Sequence, residues 1–270
     1  MMDIRGEKTL KLDSIIKDLN SFVVAFSGGV DSTFLLHRAH TIRKSAVIGI
    51  TIRTPYIPEK EIDDAIEFTS SFGIKHDIID IPFPEQIRNN PVDRCYSCKK
   101  TIFTDLLEYA RENNYPFVID GTNADDVNDY RPGLQALTEL GVRSPFLESG
   151  LTKTEIRELS READLDIWDK PAMACLLTRI PYDTEVNEEA LRLVEEAEIM
   201  LLELGFPGTR VRVHGDLARI ECLPGYIEKI VRNPEKEQII SNLKKIGFRY
   251  VSLDLEGYRT GSSNPENPHI

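Results

Sequence analysis

The chain contains no uninterrupted apolar run long enough to span a bilayer, and residues 1–8 (Met-Met-Asp-Ile-Arg-Gly-Glu-Lys) lack the apolar core of a secretory leader. These two absences remove the membrane-embedded classes and make a cytoplasmic protein, with no membrane partner, the expectation. Basic residues are in deficit: 33 Lys and Arg stand against 45 Asp and Glu, a formal charge of −12. That balance counts against a nucleic-acid partner bound by broad phosphate neutralisation. Cysteine is scarce, with four in 270 residues, and in a cytosolic chain these read as metal ligands or reactive thiols rather than disulfide partners. No internal repeat or low-complexity tract occurs, and neither a Walker Gly-x-x-x-x-Gly-Lys-Ser/Thr loop nor a Gly-x-Gly-x-x-Gly fingerprint is present. What remains is a globular composition, 41% hydrophobic and 29% charged, with chain enough for one large domain or two modest ones.

The most informative stretch present is Ser27-Gly28-Gly29-Val30-Asp31-Ser32, directly after the apolar run 22–26. A strand that ends in two glycines and restarts as a helix builds an anion cradle. Glycine permits the tight turn and close approach, and the helix N-terminus directs unpaired N–H groups at the ligand. The structural alternative is a simple strand-to-helix turn capped by Asp31 or Ser32. The complete hexapeptide resembles the PP-loop of the ATP pyrophosphatase superfamily, which implies cleavage of ATP to AMP and pyrophosphate during adenylation of a substrate.

Strand-like runs at 22–26, 46–52, 76–81 and 117–121 alternate with helical patterns at 10–19, 32–42, 59–72, 99–112 and 153–163. Short strands, apolar on both faces, predict a doubly wound parallel α/β sheet over residues 1–180. Its ligand edge, at the strand C-termini, would gather Ser27, Gly28, Gly29, Val30, Asp31, Ser32, Thr51 and Gly121 around ATP. Residues 181–270 predict a smaller α+β domain: a long helix at 187–204, a hairpin of 209–214 and 217–223 around Gly215-Asp216, helices at 225–232 and 235–246, and a strand at 248–253. A loose tail is expected from about 258.

Cys95-Tyr96-Ser97-Cys98 precedes the fourth helical pattern, with Lys99 and Lys100 adjoining. A lone C-x-x-C fits half a zinc site, a dithiol pair or part of an iron–sulfur cluster. A zinc ribbon would need a second C-x-x-C, which is missing. Cys222 shares a strand face with Ala218 and Ile220 and reads as core. That leaves Cys95, Cys98 and Cys175 as candidate ligands of one metal centre, with the adjoining lysines favouring thiolates near a helix start.

Wider motifs accompany the loop: residues 121–126 (Gly-Thr-Asn-Ala-Asp-Asp), 129–134, 144–146, 150–153 (Gly-Leu-Thr-Lys), 168–179, Pro181-Tyr182, and Arg210-Val211-Arg212 with Ala218-Arg219-Ile220-Glu221. Over almost the whole chain these resemble the LarE family of sulfur transferases, which make the organic part of the nickel-pincer nucleotide cofactor of lactate racemase. Thr178 stands where Ser is expected, and Asp183 where many relatives have Gly. The resemblance implies ATP and Mg²⁺ as cofactors and pyridinium-3,5-biscarboxylic acid mononucleotide as substrate, its carboxylates converted to thiocarboxylates one at a time.

Two sulfur routes are known for that family: a single sacrificial cysteine at the position of Cys175, or three cysteines holding a [4Fe-4S] cluster that carries sulfide delivered by a separate donor. Cys95 and Cys98 beside Cys175 point to the second. The resemblance further implies Cys175, Asp31 and Arg179 in catalysis, and a homo-oligomer, usually a hexamer. Asp125, Asp126 and Asp129 follow the fourth strand, where nucleotide, substrate and Mg²⁺ would be met, or else are acidic residues that stabilise a helix N-terminus; Arg131 is expected on the substrate phosphate. A two-residue turn at Gly215-Asp216 would set Arg212 opposite Arg219 and Arg210 opposite Glu221. Like charges so placed repel unless something sits between them, so Arg210 and Arg212, with Glu198, are expected to bind an anion. A tRNA thiolase, an ammonia-dependent ligase and a non-catalytic nucleotide-binding module are the competing classes.

Overall fold

The computed structural model describes residues 4–128, 132–171 and 174–259. Backbone packing divides the chain into two compact units, residues 1–86 with 93–173 and residues 87–92 with 174–270.

In the first unit, β1 (Phe22–Ala25), β2 (Val47–Arg53), β3 (His76–Asp80) and β4 (Val118–Ile119) form a parallel sheet in the order β3-β2-β1-β4. Val23 pairs with Ile48 on one side and Val118 on the other. Helices α1 (Ile4–Asp18), α2 (Val30–Arg43), α3 (Glu59–Phe72), α4 (Arg94–Glu112), α5 (Pro132–Glu139), α6 (Pro145–Ser149) and α7 (Lys153–Glu162) complete the unit. Two apolar cores form. One joins Phe22, Val24 and Phe26 to Leu12, Phe34, Leu35, Phe146 and Ile156. The other joins Val23, Ile48 and Ile50 to Phe103, Leu106 and Ala110. Alternate residues of β1 thus enter opposite layers, each full burial contributing about 1.5–3 kcal/mol, and the doubly wound α/β architecture follows.

The strand order also fixes the site. From β1 the chain builds outward through β2 and β3, then returns to place β4 on the other flank of β1. Such a reversal opens a crevice at the strand C-termini, and the Gly-Gly loop leaves β1 there.

Two elements differ from the sequence reading. Helix α4 begins at Arg94, not near Lys99, because the Tyr96 and Ser97 amides both bond the Asp93 carbonyl. The C-x-x-C therefore lies within the helix. Strand β4 is two residues long, and Arg143 bridges to Ile119: the Asp120 amide donates to the Arg143 carbonyl and the Arg143 amide to the Val118 carbonyl.

In the second unit, α8 (Glu188–Glu203) is capped by Asn187, whose Oδ1 accepts from the Ala190 amide at 2.7 Å. Strands β5 (Arg210–His214) and β6 (Leu217–Glu221) form the antiparallel hairpin, β7 (Tyr250–Leu253) runs parallel to β6, and α9 (Pro224–Val231) and α10 (Glu235–Ile246) complete it. Residues 174–180, placed with the first domain by the sequence pattern, pack in this unit. The buried Asn90 amide explains why, donating to the carbonyls of Leu177, Ile180 and Pro181 at 3.2, 2.8 and 3.0 Å. Cys222 is fully buried here, as its strand face required.

Candidate nucleotide and sulfur site

Between β1 and α2 the loop is held from within. Ser32 Oγ accepts from the Ser27 amide at 3.2 Å, lies 3.1 Å from Ser27 Oγ and donates to the Gly29 carbonyl at 3.2 Å. Gly28 adopts φ +72°, and a Cβ there would approach the Glu61 carbonyl oxygen to 2.9 Å, so only glycine fits. The Thr33 amide is the first to bond back, to Gly29. The preceding amides of Gly29, Val30, Asp31 and Ser32 have no protein acceptor among the described residues, and α2 aims its positive end along them. Gly121, at the end of β4, closes the opposite wall; a Cβ there would come within 3.0 Å of the Ser32 nitrogen.

Asp31 is the ionic centre of this wall. Its Oδ2 accepts from Lys153 Nζ at 2.6 Å, whereas its buried Oδ1 has no hydrogen-bond partner. Burial pushes its carboxyl above the ordinary value, Lys153 opposes that shift, and neighbouring Asp126 adds to it. An orphaned, desolvated carboxylate oxygen beside a second carboxylate is a donor set suited to a hard divalent cation. Asp126 is itself held by the Asn123 amide at 2.9 Å. Asp125 is exposed and accepts from the Lys153 amide at 2.8 Å, so it caps α7. Thr51 is buried with its hydroxyl turned to the backbone, donating to the Phe26 carbonyl at 2.7 Å with His76 Nε2 at 2.8 Å. It braces the end of β1. Asp129 and Arg131 lie outside the described residues.

Lys153 was missed as a site residue, although its motif was legible. The Thr152-x-x-Glu155 spacing marks a capping box, which the structure contains, and a lysine one residue past such a cap sits at the mouth of a helix.

Cys95 and Cys98 lie one turn apart on α4, a spacing that puts both on one helix face. Cys95 is exposed and Cys98 half-buried. Burial raises the Cys98 thiol above its ordinary value, the Tyr56 hydroxyl 3.3 Å away pulls it back, Cys95 raises it and Lys99 lowers it. Lys100 is turned away to Glu139 at 2.5 Å and Tyr96 at 2.9 Å, so the expectation that it serves the thiols is corrected. Cys175 belongs to the second unit. Among the described residues no three His, Cys, Asp or Glu side chains gather as a metal group.

Arg179 is buried in the second unit and grips Glu198 through Nε at 2.8 Å and Nη2 at 2.9 Å. Its Nη1 donates to the carbonyls of Ala174 at 2.9 Å and Cys175 at 3.3 Å. It therefore positions the Cys175 backbone. The hairpin register is as derived, Arg212 opposite Arg219 and Arg210 opposite Glu221. What lies between the like charges is Glu221: Oε2 accepts from Arg212 at 2.8 and 3.0 Å, and Oε1 from Arg219 at 2.8 Å. Arg210 stands 3.6 Å from Glu198. Among the described residues four guanidiniums thus share Glu198, Glu221 and Asp254.

The family model of NAD synthase matches residues 8–106, the part that carries the Gly-Gly loop. Over 261 residues, 95% of this chain and 94% of the relative, the sequence is 36% identical to the pyridinium-3,5-bisthiocarboxylic acid mononucleotide synthase of Lactiplantibacillus plantarum. The chain belongs to this synthase family, the LarE family. It is an ATP-dependent sulfurtransferase of the PP-loop kind. An uncharacterised protein of Synechocystis is 38% identical over 95% of the chain and 97% of its own length. The chain is also 29% identical, over 62% of its length and 58% of the relative, to the tRNA-specific 2-thiouridylase MnmA of Rickettsia prowazekii. Among the described residues no helix is long and apolar enough to cross a membrane.

Proposed function

We propose that this protein thiolates the carboxylates of pyridinium-3,5-biscarboxylic acid mononucleotide in nickel-pincer nucleotide synthesis. The observation that carries the reading is the open row of amides at residues 29–32 beside the orphaned Asp31 oxygen. A carboxylate is a poor electrophile because oxide is a poor leaving group. In the proposed first step a substrate carboxylate oxygen attacks the α-phosphorus of ATP, the bond to pyrophosphate breaks, and an acyl adenylate forms. The loop amides and Lys153 receive the charge on the departing β,γ-diphosphate. Asp31 and Asp126 would hold Mg²⁺, which when bound offsets phosphate charge. A sulfur nucleophile then adds to the acyl carbon and AMP departs. The arginine cluster around Arg210 and Arg212, with Glu198, is the proposed contact of the mononucleotide phosphate; the same role is proposed for Arg131 from the family resemblance alone.

Cys95, Cys98 and Cys175 would hold a [4Fe-4S] cluster, whose fourth iron, when bound, supplies sulfide from an external donor. The shared helix face of Cys95 and Cys98 supports two of these ligands. The second reading keeps Cys175 as a sacrificial donor and requires no other thiol beside it. In that route Sγ displaces AMP, the Cα proton is lost and the Cβ–Sγ bond breaks, leaving dehydroalanine. Cys175 is indispensable in both. A cytoplasmic homo-oligomer belongs to the same proposal.

The test is anaerobic assay of iron, acid-labile sulfide, pyrophosphate and thiocarboxylate on wild type and Cys95→Ala. Iron bound in wild type, its loss in the variant, and several turnovers per chain with added sulfide support the cluster route. One turnover without iron, with loss of one sulfur from the Cys175 peptide, supports the sacrificial route. No pyrophosphate with this substrate would sink both.

A further inference from the structure

One cation at the loop has no place in the chemistry above. Lys170 Nζ donates to the Gly28 carbonyl at 3.0 Å and is anchored by Asp64 Oδ2 at 2.9 Å. Asp64 is shared with Lys60 at 2.6 Å, and the Lys170 backbone is pinned by Arg157, which donates to its carbonyl at 2.8 Å. The ammonium is thus held from two sides at a fixed place behind the loop.

The geometry points to Lys170 as a positioning residue that sets the orientation of the Gly28–Gly29 peptide for diphosphate binding. In a trans peptide the C=O and the following N–H point in opposite directions, and Asn233–Pro234 is the cis bond of the described chain. Fixing the Gly28 oxygen toward Lys170 therefore turns the Gly29 N–H away from it. That amide heads the row with no protein acceptor. A peptide between two glycines has little steric preference for either face. Flipped, it would present a carbonyl oxygen to an anion instead of a donor. A charge-assisted bond to the carbonyl biases the choice strongly.

The inference rests on the nucleotide reading above but not on the sulfur route. Its test is calorimetric titration of the full-length protein with α,β-methylene-ATP, inorganic pyrophosphate and AMP. Lys170→Met is expected to weaken the analogue and pyrophosphate by about 10- to 100-fold, with AMP moving less than about threefold and Lys170→Arg restoring binding. Asp64→Asn, which loosens the anchor but keeps the ammonium, gives a smaller shift in the same direction and serves if the methionine variant does not fold. Parallel weakening of AMP, or unchanged pyrophosphate affinity in Lys170→Met, would overturn the assignment. Wild-type protein that binds neither the analogue nor pyrophosphate would overturn the nucleotide reading itself, and the assignment with it.

Discussion

Glu221 offers the sharpest energetic test, because one carboxylate serves two arginines of different exposure. Arg212 and Glu221 side chains are 8% and 4% exposed, whereas Arg219 is 39% exposed. Replacing Glu221 with Ala leaves a buried guanidinium facing a like charge across the hairpin. Breaking a buried pair from one side costs about 3–5 kcal/mol. Removing Arg219 instead breaks a pair open to solvent, about 1 kcal/mol or less. At one decade per about 1.4 kcal/mol, β5 and β6 amides should exchange with deuterium about 100- to 4,000-fold faster in Glu221→Ala, and at most about fivefold faster in Arg219→Ala. Amides of β1 and β2, in the other unit, serve as internal controls. Equal effects of the two substitutions, or an acceleration in Glu221→Ala below about fivefold, would refute the view that Glu221 is what tolerates the opposed arginines.

Other outcomes follow from the loop and the thiols. Asp31→Asn should lower metal-dependent pyrophosphate release by about 10- to 100-fold or more, and Lys153→Met should lower it as well, both read in a coupled phosphate assay. The same Asp31→Asn change should raise the melting temperature of the ligand-free protein at neutral pH. Burial makes the native state hold the Asp31 proton more tightly than the unfolded chain does, so its contribution to stability falls as pH rises from the ordinary carboxyl range through the raised value. The amide removes that loss, and a lower melting temperature would contradict it. Iodoacetamide should label Cys95 faster than Cys98 near neutral pH. Tyr56→Phe should slow Cys98 further, because the Tyr56 hydrogen bond lowers that thiol; faster labelling in the variant would count against the assignment.

Local patterns made much of this fold legible. The helix at 59–72 and the hairpin register were readable because amphipathic period and turn length act within a few residues. Helices α5 and α6 were not read, since each is short and opens on a proline that also marks a turn. Asp183, read from the family resemblance as standing in a common glycine position, takes φ +54°, the left-handed region that glycine would occupy freely. At the candidate site, Ser27–Ser32 and Gly121 stood out in the sequence because glycine at strand ends has few other uses. What the Thr51 hydroxyl does was not legible, since it donates to the carbonyl of Phe26, just past β1 and 25 residues away in the chain. The attachment of Lys153 to Asp31 spans 122 residues, and no local pattern encodes a contact of that range.

The excursion of residues 87–92 into the second unit has a consequence for synthesis. This short stretch leaves the ribosome roughly ninety residues ahead of the carbonyls of Leu177, Ile180 and Pro181 that enclose Asn90. At about 5–20 residues per second, it waits on the order of 5–20 s for them. The N-terminal sheet can assemble meanwhile, but the C-terminal unit is completed only with a piece of chain translated long before it. A fragment beginning at Ala174 would lack that piece, so dissecting the protein into halves calls for grafting the hexapeptide back rather than for a single cut.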